Sequence, residues 1–85
     1  MKLIYFHTAC SRHGIELLNL VKNYCSDNEI EYIMYDCDED VDAMNDYDLH
    51  GNAPAFIAFN DAGRKIATRK GKFTEDDLNK IFRAQ

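Results

Sequence analysis

The chain has 85 residues, 46% of them hydrophobic and 29% charged, which suits one packed domain and leaves no room for a second. Fifteen acidic and ten basic side chains give a formal charge of -5 and a pI near 5.0. That balance argues against a nucleic-acid or anionic-membrane surface, since phosphate contact needs an excess of Lys and Arg, and no apolar run approaches the roughly 18 residues that span a bilayer.

Residues 2–8 are short, apolar and rich in Ile, Tyr and Phe, the pattern of a buried strand. Residues 11–26 follow helical spacing: Gly14, Leu17, Leu18, Val21, Tyr24 and Cys25 share one face, widened by Ile15 and Leu20. Ser26-Asp27-Asn28 ends that helix with turn chemistry. Residues 30–37 read as a second strand. Asp38 to Asp48 is acidic, with Val41, Met44 and Tyr47 at a spacing of three, and predicts a second helix that Gly51-Asn52-Ala53-Pro54 breaks. Ala55 to Asn60 is a third strand, Asp61-Ala62-Gly63-Arg64 a hairpin turn and Lys65 to Lys70 a fourth strand. Thr74 caps a last helix, with Asp76 and Asp77 at its positive end and Leu78, Ile81 and Phe82 facing inward.

The order is therefore β-α-β-α-β-β-α. A right-handed crossover makes strands one and two parallel, and the tight turn makes three and four antiparallel. An α/β domain follows, with a four-stranded mixed sheet flanked by helices. Met1 to His7 imitates a signal peptide for four residues, short of the roughly seven that a secretory core needs. The chain is expected to be cytoplasmic, with its three cysteines, Cys10, Cys25 and Cys37, as reduced thiols.

One cluster carries chemistry: Thr8-Ala9-Cys10-Ser11-Arg12-His13, where the first strand hands over to the first helix. Free backbone N–H groups at a helix N-terminus favour a thiolate at Cys10 over the thiol. His13, three residues on, and Arg12 add positive charge. A low-pKa accessible thiolate is the group needed to attack a disulfide.

The element order and three segments resemble the thioredoxin superfamily, over nearly the whole chain. Tyr5 to His13 is similar to the strand-to-helix segment that carries Cys-x-x-Cys. Tyr47 to Pro54 looks like the loop ending in a cis-proline that faces the nucleophile. Gly71 is like the glycine flanking the peptide-binding surface. The resemblance implies a thioredoxin fold lacking the extra N-terminal strand and helix of full-length thioredoxin, closer in size to a glutaredoxin. It implies thiol–disulfide exchange at Cys10, with Ser11, Arg12, Ala53, Pro54 and Gly71 holding the substrate backbone.

The departures are consistent with one another. The family's resolving cysteine falls on His13, its buried carboxylate on Ile4, and the accompanying lysine on Met34. A carboxylate kept there without a thiol to serve would only cost burial free energy. The proline loop carries one extra residue, Asn52, and the chain has no Trp. Glutathione is then the expected co-substrate that resolves the mixed disulfide, as in monothiol glutaredoxins. Cys37, at the end of the adjacent parallel strand, is the alternative resolving thiol.

His13 reads equally as a group tuning Cys10 and as a surface residue that merely replaces a cysteine. Cys10 and His13 have the spacing of half a metal site, but no second pair matches it, so no bound metal is expected. Cys25 reads as core and His50 as a loop histidine. Asp36, Asp38, Glu39, Asp40 and Asp42 lack the glycine and terminal Glu of a calcium loop. Arg64, Lys65, Arg69, Lys70 and Lys72 suit a charged sheet edge or a site for glutathione-like carboxylates. The function expected is a monothiol oxidoreductase acting on protein or glutathione mixed disulfides, with no bound cofactor, monomeric and served by a reductase. Two alternatives stay open: a non-catalytic binding module docked on a larger host protein, and a metal or iron–sulfur carrier.

Overall fold

The computed structural model describes residues 1–8, 14–36, 39–47 and 54–83, the side chains of Val41 and Met44 excepted. Its elements are β1 (Lys2–His7), α1 (Gly14–Asp27), β2 (Glu31–Asp36), α2 (Val41–Asp46), β3 (Ala55–Phe59), β4 (Lys65–Lys70) and α3 (Glu75–Phe82). They form a four-stranded sheet in the order β2-β1-β3-β4. β1 runs parallel to β2, from Lys2 opposite Glu31 to His7 opposite Asp36, and antiparallel to β3, from Lys2 opposite Phe59 to Phe6 opposite Ala55. β3 and β4 are antiparallel. Parallel pairing of β1 and β2 is what the intervening helix requires, because the crossover returns the chain to the same end of the sheet.

The two central strands are buried on both faces, which explains their continuous apolar runs. On one face Leu3, Tyr5, Phe56 and Ala58 pack with Leu17, Val21, Tyr24 and Cys25 of α1 and Leu78 and Phe82 of α3. Phe73 closes this side, its ring edge-on to Phe56 with centroids 4.6 Å apart. On the other face Ile4, Phe6, Ala55 and Ile57 form a smaller cluster covered by Tyr35, Ala43 and Tyr47. Phe6 stacks on Tyr35 at 5.4 Å and meets the edge of Tyr47 at 5.8 Å.

Three departures from the sequence expectations have physical reasons. α2 begins at Val41 rather than Asp38 because the acidic run first closes a turn. The Asp40 N–H donates to the Asp36 carbonyl at 2.7 Å, and its carboxylate accepts the Asp36 N–H at 2.8 Å. Ile15 does not widen the apolar face of α1; it is 72% exposed. Gly14 is the residue pressed on the sheet, and the next side chain lies about 100° round the axis. The hairpin is organised by Asn60, one residue before the expected turn, whose side-chain oxygen accepts the N–H groups of Ala62 and Arg64, both at 3.0 Å.

The last helix is capped as expected. Thr74 Oγ1 accepts the Asp77 N–H at 3.3 Å, and the Asp77 carboxylate accepts the Thr74 N–H at 2.9 Å, a reciprocal capping box. The Thr74 backbone bond is the main cause of a lowered Asp77 pKa. Asp77 also meets Arg69 at 3.4 Å, and Asn79 accepts from the Tyr24 hydroxyl at 2.9 Å, so α3 is tied to β4 and α1. Among the described residues no helix is long and apolar enough to cross a membrane.

Candidate thiol site at the carboxyl end of the parallel strands

The end of β1 carries the site. A Cβ on Gly14 would come closer than 3.0 Å to the Thr8 carbonyl oxygen and lie 3.2 Å from His7 Cε1. The first turn of α1 thus rests directly on the end of β1, and only glycine permits that approach. Residues 9–13 connect these two touching ends.

One row of residues crosses the sheet there. His7, the last residue of β1, is in register with Asp36, the last of β2. On the other side β1 and β3 are in register to Phe6 and Ala55, so Pro54 occupies the next position beside His7. The Gly71 N–H donates to the Pro54 carbonyl at 2.7 Å, one step beyond the pair of Ala55 and Lys70. Asp36, His7, Pro54 and Gly71 therefore line the sheet's edge beyond the carboxyl ends of the parallel strands, where open α/β sheets place their ligands. Gly71 has φ +86°, a conformation that side chains disfavour, while the space around it is open.

The structure brings Pro54 and Gly71 together through that backbone bond. Cys10, Ser11, Arg12, His13, Cys37 and Ala53 lie outside the described residues, and so does the isomer of the Ala53–Pro54 bond. Ile4 is buried among Phe6, Ala55 and Ile57, and Met34 packs against the opposite face. Neither position supplies a charge beneath the site. Lys70 and Lys72 are exposed on either side of Gly71, and Arg64, Lys65 and Arg69 are exposed on or beside the edge strand β4. Among the described residues no group of three His, Cys, Asp or Glu is placed to hold a metal ion. A cavity of about 370 Å³, lined by Lys2, Ile4, Glu31, Tyr47, Phe59 and Asp61 among others, opens at the opposite end of β1 and shares no residue with this row.

Sequence reasoning missed His7 and the close approach at Gly14. Tyr5 and His7 alternate onto the same face of β1, with ring centroids 6.2 Å apart. The Tyr5 hydroxyl and His7 Nδ1 are both shut off from solvent with no hydrogen-bond partner among the described residues. The available signal was a histidine at the end of an apolar strand, three positions before the cysteine.

Cys25 is core, as expected: it is 1% exposed, and burial pushes its thiol up from 9.0 to about 11. Burial likewise pushes the Tyr5 hydroxyl from 10.0 to about 12. The unfolded chain releases both protons first as pH rises. Their contribution to stability is therefore complete below about pH 9 and is lost as pH climbs towards 11 and 12. The midpoint of urea unfolding is expected to fall steadily between about pH 9 and pH 11. A constant midpoint across that window would show that neither group is held neutral.

No protein-family model matches the chain, and no curated protein does. Solved structures do match. Thioredoxin 1 from the thermophilic eubacterium Thermosipho africanus superposes with a TM-score of 0.85 at 15% identity, over 99% of this chain and 92% of that one. Fasciola hepatica thioredoxin gives 0.80 at 18% identity, over 99% and 80%. A structure concerning thiol resolution in yeast mitochondrial 1-Cys peroxiredoxin by the glutathione and thioredoxin systems gives 0.70 at 19% identity, over 96% and 76%. With the strand order β2-β1-β3-β4, these likenesses show the fold: a thioredoxin fold in its short form.

Proposed function

We propose that the chain is a thiol–disulfide oxidoreductase of monothiol type with Cys10 as nucleophile. The observation that carries this reading is the row of His7, Pro54 and Gly71 at the end of β1, closed by the 2.7 Å bond from Gly71 to Pro54. The strand that ends in this row leads within three residues to Cys10, and α1 begins against its end.

The chemistry follows from these parts. N–H groups in the first turn of α1 stabilise a thiolate at Cys10, with Arg12 and His13 adding positive charge. The substrate lies along the Ala53-Pro54 backbone as an added strand, with Ser11, Arg12 and Gly71 beside it. Cys10 Sγ attacks one substrate sulfur, the substrate S–S bond breaks, and the departing sulfur leaves as a thiolate. A second thiol then attacks the mixed disulfide and frees Cys10. Glutathione fits that role, since position 13 holds histidine and the site of the usual carboxylate holds buried Ile4. Cys37 is the internal alternative, one residue past Asp36 on the strand paired with β1. The same absences support a second reading, in which the chain binds a larger host protein through this surface without turnover.

Alkylation of Cys10 against pH separates the two readings. The protein for the test carries Cys37→Ala; Cys25 is protected by burial. The oxidoreductase reading expects a thiol pKa of about 5–7 and exchange with glutathione disulfide. A value of about 8.5 or above would sink it in favour of the binding module.

A further inference from the structure

The two edges of the sheet are built differently. β4 is blunted against stray pairing: Lys65, Arg69 and Lys70 are exposed along it, and its register with β3 slips at Ala58 and Phe59. β2 has no such device between its ends. Tyr32-Ile33-Met34-Tyr35 is an unbroken apolar and aromatic run, half-buried except for Tyr32, which is 39% exposed. The backbone shows which groups face outward. The Glu31 N–H donates to the Met1 carbonyl at 3.2 Å, so Glu31, Ile33 and Tyr35 turn their backbone groups to β1, and Tyr32, Met34 and Asp36 turn theirs away. At Asp36 the outward groups are occupied: its N–H donates to the Asp40 carboxylate at 2.8 Å, and its carbonyl accepts the Asp40 N–H at 2.7 Å. The N–H and C=O groups of Tyr32 and Met34 have no partner among the described residues.

Charge selects the occupant of this edge. Eleven of the fifteen acidic side chains lie in residues 23–63, a stretch without Lys or Arg. Glu29 and Glu31 stand at one end of β2, and Asp36, Glu39 and Asp40 at the other. Lys2 is in register with Glu31, which leaves an acidic excess at both ends. A second copy pairing β2 against β2 in antiparallel fashion would set Glu31 opposite Asp36 twice, and like charges directly opposite oppose association. We infer that the outer edge of β2 accepts an extended segment of a partner protein as an added strand, apolar in its middle and bearing Lys or Arg at both ends. Its backbone bonds the free groups of Tyr32 and Met34. Its alternate side chains extend the two apolar layers, beside Met34 on one face and beside Ile33 and Tyr35 on the other. Its terminal cations meet the acidic groups at the two ends of β2. No step of the thiol chemistry is needed for this docking.

The test is an NMR titration of the whole chain with the synthetic peptide Lys-Lys-Val-Thr-Ile-Val-Lys-Lys and with its charge-reversed counterpart Glu-Glu-Val-Thr-Ile-Val-Glu-Glu. The basic peptide is expected to shift the Tyr32 and Met34 amides and slow their hydrogen exchange, with binding that weakens as salt is raised. The acidic peptide should bind at least about tenfold more weakly. Tyr32→Pro removes one outward N–H while Glu31 and Ile33 keep the ladder to β1, a change that edge strands tolerate, and should weaken the basic peptide by about tenfold. The double variant Glu29→Gln/Glu31→Gln leaves the backbone groups in place and should weaken it by about threefold, so the answer does not hang on how the proline variant folds. No response at Tyr32 and Met34 with the basic peptide at about 1 mM, a response centred on β4, or equal binding of the two peptides would overturn the inference. So would self-association of the parent through β2 in sedimentation, which would assign this edge to a second copy.

Discussion

Replacing Gly14 by alanine is expected to destabilise the protein by about 1–3 kcal/mol. That corresponds to a fall in melting temperature of roughly 5–20 °C for a domain of this size. The sign is the informative part. Gly14 opens α1, and inside a helix alanine is ordinarily better than glycine by about 0.5–1 kcal/mol. Propensity alone therefore predicts a gain. Against it stands the Thr8 carbonyl, closer than 3.0 Å to where the new methyl would sit. That oxygen belongs to backbone at the end of a central strand, and no side-chain rotation can move it. The clash can be relieved only by lifting the first turn of α1 off β1. The same movement shifts the N–H groups that would stabilise Cys10, so alkylation at neutral pH should slow alongside the melt. A Gly14→Ala protein that melts at or above the parent temperature would show that the helix does not rest on the strand.

Phe56→Ala is expected to cost about 3–5 kcal/mol, out of a total of roughly 4–13 kcal/mol for 85 residues. Phe56 is fully buried, on the central strand β3 and in register with Tyr5 on β1 and Arg69 on β4. Its ring meets Phe73 edge-on at 4.6 Å, and Phe73 in turn meets Tyr5 at 6.0 Å. The cavity left behind lies between the sheet and Phe73, where flanking strands prevent collapse. Equilibrium unfolding in urea measures the loss, with Ile15→Ala as the internal contrast. Ile15 is 72% exposed, so its truncation should stay within about 0.5 kcal/mol. Equal losses for the two variants would mean that the core is not organised around Phe56 and Phe73.

How much was legible in advance differs from residue to residue. β1 and β3 could be read as buried strands because a two-faced core demands uninterrupted apolar residues, and Leu3 to Phe6 and Ala55 to Ala58 provide them. The Thr74 cap was legible because it depends on a partner only three residues away, Asp77. Ile15 was misread because helical spacing ranks residues by apolarity and cannot tell where the seam ends. α2 was read too long because Asp36 and Asp40 bond to each other, a use of acidic side chains that composition does not distinguish from a helix start. Pro54 and Gly71 were picked out by likeness, and their backbone bond supplies the physical reason that they belong together.

By itself the sequence determined the element order, the placing of Cys10 at a strand-to-helix junction and the absence of the usual second cysteine, carboxylate and lysine. All of these are properties of residue type and short-range spacing, which neighbouring residues largely settle. Only the tertiary structure decided that Gly14 sits on Thr8, that His7 stands opposite Asp36, and that Pro54 bonds to Gly71. Those contacts join residues up to 29 positions apart, as with His7 and Asp36. They exist because strand register, set by pairing across the whole sheet, chooses which distant residues share one edge.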